Sequence, residues 1–212
     1  MVVPAAETLA GPTIPYPNPG TIAAPTYFAG TGGDVIAYFF GDTAEYNSNM
    51  SMYVNGVQSS AGWVFPNHGT AIGTSVDLGF APAGSSVVFA LQVFEFNPVS
   101  VVTSPNPHYE GTATYTLYSD PSLNTLDNTN HAYATPYPGP NGNPTVAGVP
   151  AGTFVGFEDL LASEADFNYN DHTFVFTNIS TDPSPEPATL TLLGIGIAGM
   201  AGYEWRRRKK TT

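Results

Sequence analysis

From residue 25 onward, apolar and polar positions alternate in short runs, separated by clusters of Gly, Asn, Pro and Asp. A period of two places successive side chains on opposite faces of a strand. The runs predict strands over 26–29, 34–40, 51–54, 75–80, 86–96, 112–118, 152–159 and 173–178. In the fifth run Val87, Phe89, Leu91 and Val93 share one face, and Val88, Ala90, Phe94 and Phe96 share the other. A strand apolar on both faces belongs in the middle of a sheet, covered from each side. In the sixth run Thr112, Thr114 and Thr116 alternate with Ala113, Tyr115 and Leu117, which predicts one face in water. Asn55-Gly56, directly after Tyr53-Val54, is a tight hairpin turn. No long stretch has helical periodicity. About eight short strands of this kind predict an all-β fold, an antiparallel β-sandwich of jelly-roll-like type. Residues 119–150 are mostly Pro, Asn and Gly, and are expected to form a long surface loop.

Three segments follow from the same pattern. Residues 1–24 are rich in Pro, Ala and Thr and read as an extended leader. Residues 25–180 form the β-domain. Residues 183–212 are a tail of different composition. Charged residues make up only 10% of the chain and aromatics 13%, the reverse of a disordered composition, so a packed core is expected.

Charge sharpens this picture. The chain has 5 Lys and Arg against 17 Asp and Glu, and all the basic residues lie in one run, Arg206, Arg207, Arg208, Lys209 and Lys210. Nucleic acid is excluded as a partner of the body, because phosphate binding needs basic side chains. The carboxylates cannot be neutralised by Lys or Arg of the same domain, so they stay solvated or take up divalent cations. With no Cys there is no disulfide framework and no thiolate chemistry.

In the tail, Pro185, Glu186 and Pro187 precede the uncharged run 188–203, roughly 24 Å as a helix at about 1.5 Å per residue. This predicts a short transmembrane helix over 188–205, with Tyr203 and Trp205 at the interface. The basic residues at 206–210 act as a stop-transfer cluster that keeps the C-terminus cytoplasmic. The ordered triplet, apolar run and basic end resemble the PEP-CTERM sorting signal of Gram-negative bacteria. Glu204, between the apolar run and the arginines, departs from that pattern. The resemblance implies a substrate of exosortase, a membrane protease, with cleavage near Pro185 to Pro187. The chain would pass through an inner-membrane intermediate and end at the cell surface or outside. Such export calls for a signal peptide, and residues 1–20 show neither a basic n-region nor an apolar h-region.

The acids concentrate near the end of the domain, where Glu158, Asp159, Glu164, Asp166 and Asp171 fall close together. Crowded carboxylates repel unless something offsets them, and Ca²⁺, taking about six to eight oxygens, is the natural candidate. Asp166, Asn168 and Asn170 have the spacing of the first ligands of a Ca²⁺ loop, but the Gly and Glu of an EF-hand are missing. The same side chains also suit the capping of backbone turns. Asp34, Asp42 and Glu45 flank a second Gly/Asp-rich turn and offer further ligands.

Phe157-Glu158-Asp159-Leu160 and the box Asp166-Phe167-Asn168-Tyr169-Asn170-Asp171 resemble exported bacterial domains of the DUF4114 type. Asn168 replaces the middle acid of their box, and His172 stands where an apolar residue is usual. The resemblance implies a Ca²⁺ site on Glu158, Asp159, Asp166, Asn168, Asn170 and Asp171.

Catalysis has few parts to use. There is no nucleophile elbow and no phosphate-binding Gly loop, and the four His have no zinc-hydrolase spacing. Glu95, Glu110 and Glu158 could form a glycosidase pair, but nothing selects them. The reading is a non-catalytic, Ca²⁺-stabilised protein of the cell surface or biofilm matrix. The alternative is a carbohydrate-binding module for matrix polysaccharide, with Trp63, Tyr109, Tyr133 and Tyr137 stacking on sugar rings.

Overall fold

A computed structural model describes residues 12–13, 23–95, 100–103, 105–139 and 148–182. Thirteen strands and one 3₁₀ turn make up its regular structure, with no α-helix among the described residues. The leader, apart from 12–13, 23 and 24, and the whole sorting tail, including the expected membrane helix 188–205, lie outside the described residues. Among those described, no helix is long and apolar enough to cross a membrane.

The long strands come from the alternating runs. β2 (Gly33–Asp42), β3 (Asn47–Val54), β5 (Ser75–Ala81), β6 (Ser86–Phe94), β11 (Gly152–Phe157) and β12 (His172–Phe176) carry most of the buried apolar residues. The remaining strands are β1 (Tyr27–Ala29), β4 (Val57–Gln58), β7 (Ser100–Val102), β8 (His108–Glu110), β9 (Tyr115–Tyr118), β10 (Ala132–Tyr137) and β13 (Ile179–Ser180). One antiparallel sheet runs β13-β1-β6-β3-β4, with β9 also pairing β6; a second runs β10-β11-β12-β2-β5.

The two sheets enclose one core. Met50, Met52, Phe89 and Leu91 of the first meet Phe39, Leu78, Val155, Phe174 and Phe176 of the second. Phe89 and Phe176 stack with ring centroids 4.0 Å apart. Each such side chain contributes about 1.5–3 kcal/mol when fully buried.

β6 is central, as its two apolar faces predict. Phe94 on its outer face packs on Tyr109 of the β7–β8 hairpin, and Asn49 fastens that hairpin by accepting from Tyr109 N at 2.7 Å and donating to Tyr109 O at 2.9 Å. Asn55 and Gly56 form the β3–β4 turn with φ of 49° and 80°, the left-handed conformation such a hairpin needs.

Two expectations need correcting. Residues 119–150 are not simply a loop. They contain the 3₁₀ turn Pro121–Leu123 and the strand β10, which pairs with β11 through six residue pairs. Pro136 is tolerated because β10 is an edge strand, where a missing N–H costs no ladder bond. The other correction concerns β3, which starts at Asn47 rather than 51. Ser48 and Asn49 are polar yet buried, because His172 and Tyr109 satisfy them.

Sheet two is buried on its outer face as well, where Phe40, Tyr137, Val149, Phe154 and Val175 form a second cluster. A bulge lies beside this cluster. Thr173 pairs with Gly41 but Phe174 pairs with Phe39, leaving Phe40 as the extra residue in β2. Plain alternation sends Phe39 to the core and Phe40 to the outer cluster, and beyond the bulge Gly41 and Asp42 still pair with Thr173 and His172, next to the acidic loop.

Candidate metal centre

β11 and β12 form a hairpin whose last pair is Phe157 with His172. The flanking Glu158 and Asp171 therefore leave the ladder side by side. Asp171 N donates to Phe157 O at 3.1 Å, and Glu158 N donates to His131 O at 3.0 Å. Asp159 N donates to Asp171 Oδ2 at 2.9 Å, while Asp159 O accepts from the Tyr115 hydroxyl at 2.9 Å. Backbone bonds on every side hold these residues in place.

One carboxylate oxygen from each of Glu158, Asp159 and Asp171 lies within 4.8 Å of the others. Glu158 is 1% and Asp159 3% exposed. Glu158 Oε2 and Asp159 Oδ2 have no hydrogen-bond partner. A buried carboxylate oxygen without a donor is costly, and three acids this close make it worse. Burial, with the Asp171 charge adding to it, raises both the Glu158 and the Asp159 carboxyl well above the ordinary range. Burial also raises Asp171, partly offset by the N–H that Asp159 gives it. The arrangement suits a hard divalent cation that accepts oxygen ligands and removes the repulsion.

The three acids form the floor of a cleft of about 280 Å³. Two segments supply the rest of its lining: Thr43, Ala44, Glu45 and Tyr46 from the β2–β3 connection, and Leu160, Glu164, Asp166 and Asn168 from the acidic loop.

The structure divides the sequence-derived site residues. Glu158, Asp159 and Asp171 come together on the floor. Asp166 and Asn168 line the wall, where they also cap turns. Asp166 Oδ1 accepts from Asn168 N at 3.0 Å and Oδ2 from Asn168 Nδ2 at 2.8 Å, and Asn168 Oδ1 accepts from Asn170 N at 2.9 Å. Asn170 Oδ1 accepts from the Thr43 hydroxyl at 2.6 Å, outside the cleft lining. The 166-168-170 spacing thus produces a ladder of side-chain turns.

Between these residues Phe167 and Tyr169 have φ of 55° and 53°, a conformation that costs about 1–3 kcal/mol each for such residues. Tyr169 is buried, with its hydroxyl donating to Asn130 O at 3.3 Å. A Cβ at Gly156 would collide with the Tyr169 carbonyl, so only glycine lets the loop fold back onto β11.

Two histidines frame the centre from inside. His172 is fully buried, its Nδ1 3.1 Å from the Ser48 hydroxyl and its ring against Phe39 and Phe174. Burial pushes its pKa down to about 3, so it is a neutral core residue. His131 Nε2 lies 3.0 Å from Asp127 Oδ2, and that oxygen also accepts from Ala162 N at 2.9 Å, which anchors the start of the acidic loop. Sequence reasoning missed this anchor. Its signal was the Asp-x-x-x-His spacing in a segment read as a loop.

The aromatics suggested for sugar stacking divide too. Tyr109 and Tyr137 are buried against Phe94 and Phe40, while Trp63 and Tyr133 are half-buried.

The wall residues Thr43 to Tyr46 approach from a distant part of the chain. Thr43 N donates to Asp171 O at 3.3 Å, and its hydroxyl lies within bonding distance of Asn170 O as well as Oδ1. Of the three other acids named at that turn, Asp34 lies at the far end of β2, Asp42 is 3.3 Å from His68, and Glu45 lines the cleft.

Comparison of the chain with curated proteins and with solved structures finds no match. Residues 185–209 match the PEP-CTERM protein-sorting motif. The match contains Pro185, Glu186 and Pro187 at its start and Arg206 to Lys209 at its end, the residues singled out by composition. The chain therefore carries a PEP-CTERM sorting signal, which addresses it as an exported protein to exosortase, a membrane protein.

Proposed function

We propose that this is a non-catalytic protein of the cell surface or extracellular matrix, whose β-sandwich is stabilised by Ca²⁺ bound on Glu158, Asp159 and Asp171. The observation that carries the reading is the pair of buried, unpartnered carboxylate oxygens on Glu158 and Asp159, within 4.8 Å of Asp171. Ca²⁺ suits this donor set better than Zn²⁺, which favours nitrogen and sulfur ligands in a tetrahedral cage. The likeness of 157–160 and 166–171 to DUF4114 domains supports the same reading. In the tail, cleavage falls near Pro185 to Pro187, with the basic residues 206–210 on the cytoplasmic side of an inner-membrane intermediate. Exosortase supplies the proteolysis, and the body needs no catalytic residue of its own.

A thermal melt of the full chain, with Ca²⁺ against chelator, tests the metal half. A ligand at about 100 times its dissociation constant adds about 2.7 kcal/mol to the folded state. A midpoint several degrees higher in Ca²⁺ is expected. An unchanged midpoint removes the metal from the reading and leaves the sorting signal standing.

A further inference from the structure

The floor of the cleft leaves a cation incompletely surrounded. Glu158 Oε2 and Asp159 Oδ2 are free to coordinate, while Asp171 already receives the Asp159 N–H. Ca²⁺ takes about six to eight oxygens, so further donors must come from the walls or from water. The two lining segments each carry an exposed acid, and they differ in how they are tied to the floor. On the side of the acidic loop, both oxygens of Asp166 are engaged by Asn168 and the Asn168 oxygen caps Asn170, which leaves Glu164 as that segment's other exposed carboxylate. On the other side stands Glu45, an exposed carboxylate in the short connection between β2 and β3.

That connection is already seated against the floor. Thr43 bonds the backbone and side chain of Asn170, and its N–H reaches Asp171 O at 3.3 Å. Ala44 is buried at the turn, so the backbone that carries Glu45 is positioned while its side chain is exposed at the cleft. Glu45 is also near enough for its charge to contribute to the raised Asp159 carboxyl. No Lys or Arg precedes residue 206 to compete for it.

We propose that Glu45 supplies a further carboxylate to a cation seated on Glu158, Asp159 and Asp171, so that the ion closes the β2–β3 connection over the acidic floor. The proposal rests on the metal reading of that floor. It joins two segments far apart in sequence, and because the ion binds only where the folded chain brings them together, it stabilises the folded state by its binding free energy.

Calorimetric titration of the full chain with CaCl₂ tests it, using Glu45→Gln, Glu45→Asp and Glu164→Gln beside the wild type. Glu45 and Glu164 are both exposed acids on the cleft wall, so circular dichroism should show all variants folded. The expected result is a loss of Ca²⁺ affinity of about tenfold or more in Glu45→Gln, and less than about threefold in Glu164→Gln. Glu45→Asp keeps the charge but shortens the reach, and should also weaken binding more than Glu164→Gln does. In hydrogen exchange, Ca²⁺ should slow the amides of residues 43–46 in the wild type and not in Glu45→Gln. Equal losses in Glu45→Gln and Glu164→Gln, or full affinity in Glu45→Asp with no slowing at 43–46, reduce Glu45 to one of several background charges and overturn the proposal. Wild-type binding unaffected by Glu45→Gln overturns it while leaving the floor a metal site. A wild-type chain that takes up no Ca²⁺ overturns the metal reading itself, and this inference with it.

Discussion

Two segments of this protein are rich in Asp and Asn and sit next to each other, yet they handle their oxygens in opposite ways. In residues 120–131 the Asp and Asn oxygens find donors, and the buried atom left without a partner is a ring nitrogen, His131 Nδ1. Asp120 Oδ1 accepts from the N–H and hydroxyl of Ser122. Asn124 accepts from Tyr118 N at 2.7 Å and donates to Tyr118 O and Thr129 O. Asp127 takes Thr129 N on one oxygen, and His131 with Ala162 N on the other. Burial opposes ionisation of Asp127, but these N–H groups and His131 outweigh it and hold its carboxyl below the usual range. In residues 158–171 the outer residues Asp166, Asn168 and Asn170 are also capped, while Glu158 and Asp159 keep buried oxygens without a donor. Similar residue types thus make a turn whose carboxylate and amide oxygens are satisfied in one place and a floor with unsatisfied carboxylate oxygens in the other. The difference lies in donor supply. Three acids converge at the end of one hairpin, with too few N–H groups facing them.

The largest expected effect breaks the satisfied side. Asn124→Ala removes three hydrogen bonds at a buried position and strands backbone groups of Tyr118 and Thr129. It should cost about 3 kcal/mol in denaturant melts, with or without Ca²⁺. A cost that disappears in Ca²⁺ would mean that the two segments are not separate.

Next comes the pH dependence of the unsatisfied side, measured in chelator. Glu158, Asp159 and Asp171 have folded-state pKa values raised above their unfolded ones. Their contribution to stability is therefore fully present below the ordinary carboxylate range and lost as pH rises through the raised values. Lowering pH from 9 to 7 should stabilise the metal-free chain by about 1–2 kcal/mol. The double variant Glu158→Gln/Asp159→Asn should flatten that slope, and saturating Ca²⁺ should reverse it, because the ion requires ionised ligands. His172 works the other way: with its pKa pushed down to about 3, its contribution is present above about 6.5 and fades as pH falls toward 3. The carboxylate slope is thus best read above neutrality.

The smallest effect separates cap from ligand. Asn168→Ala loses one turn bond to Asn170 and one to Asp166 at a partly exposed position, a cost of about 0.5–1 kcal/mol. If Asn168 serves as a cap, the Ca²⁺-induced rise in melting temperature survives this change. Loss of the rise would return Asn168 to the ligand set implied by its spacing.

Much of the fold was legible because strand alternation and turn chemistry are local. The 86–96 run announced a central strand, and Asn55-Gly56 announced the β3–β4 hairpin. β10 was hidden because Pro136 and the surrounding Gly and Asn read as loop, and only an edge position makes them compatible with a strand. The polar start of β3 was hidden for a related reason: Ser48 and Asn49 look like surface residues until His172 and Tyr109 are found beside them. In the centre, the acid-rich stretch stood out from composition alone. Which acids converge did not, because 166-168-170 has ligand spacing but folds into caps, while Glu158, Asp159 and Asp171 share no regular spacing.

The sequence by itself determined the β-rich body, the absence of basic side chains before residue 206, and the sorting signal, since each depends on residue type and order along the chain. Only the tertiary structure decided that Glu158 and Asp171 face each other at the end of one hairpin, that Glu45 stands across a cleft from them, and that two carboxylate oxygens are buried without donors. Those facts depend on strand register, on the extra residue in β2 and on which N–H groups reach the floor, and residues distant in sequence set all three.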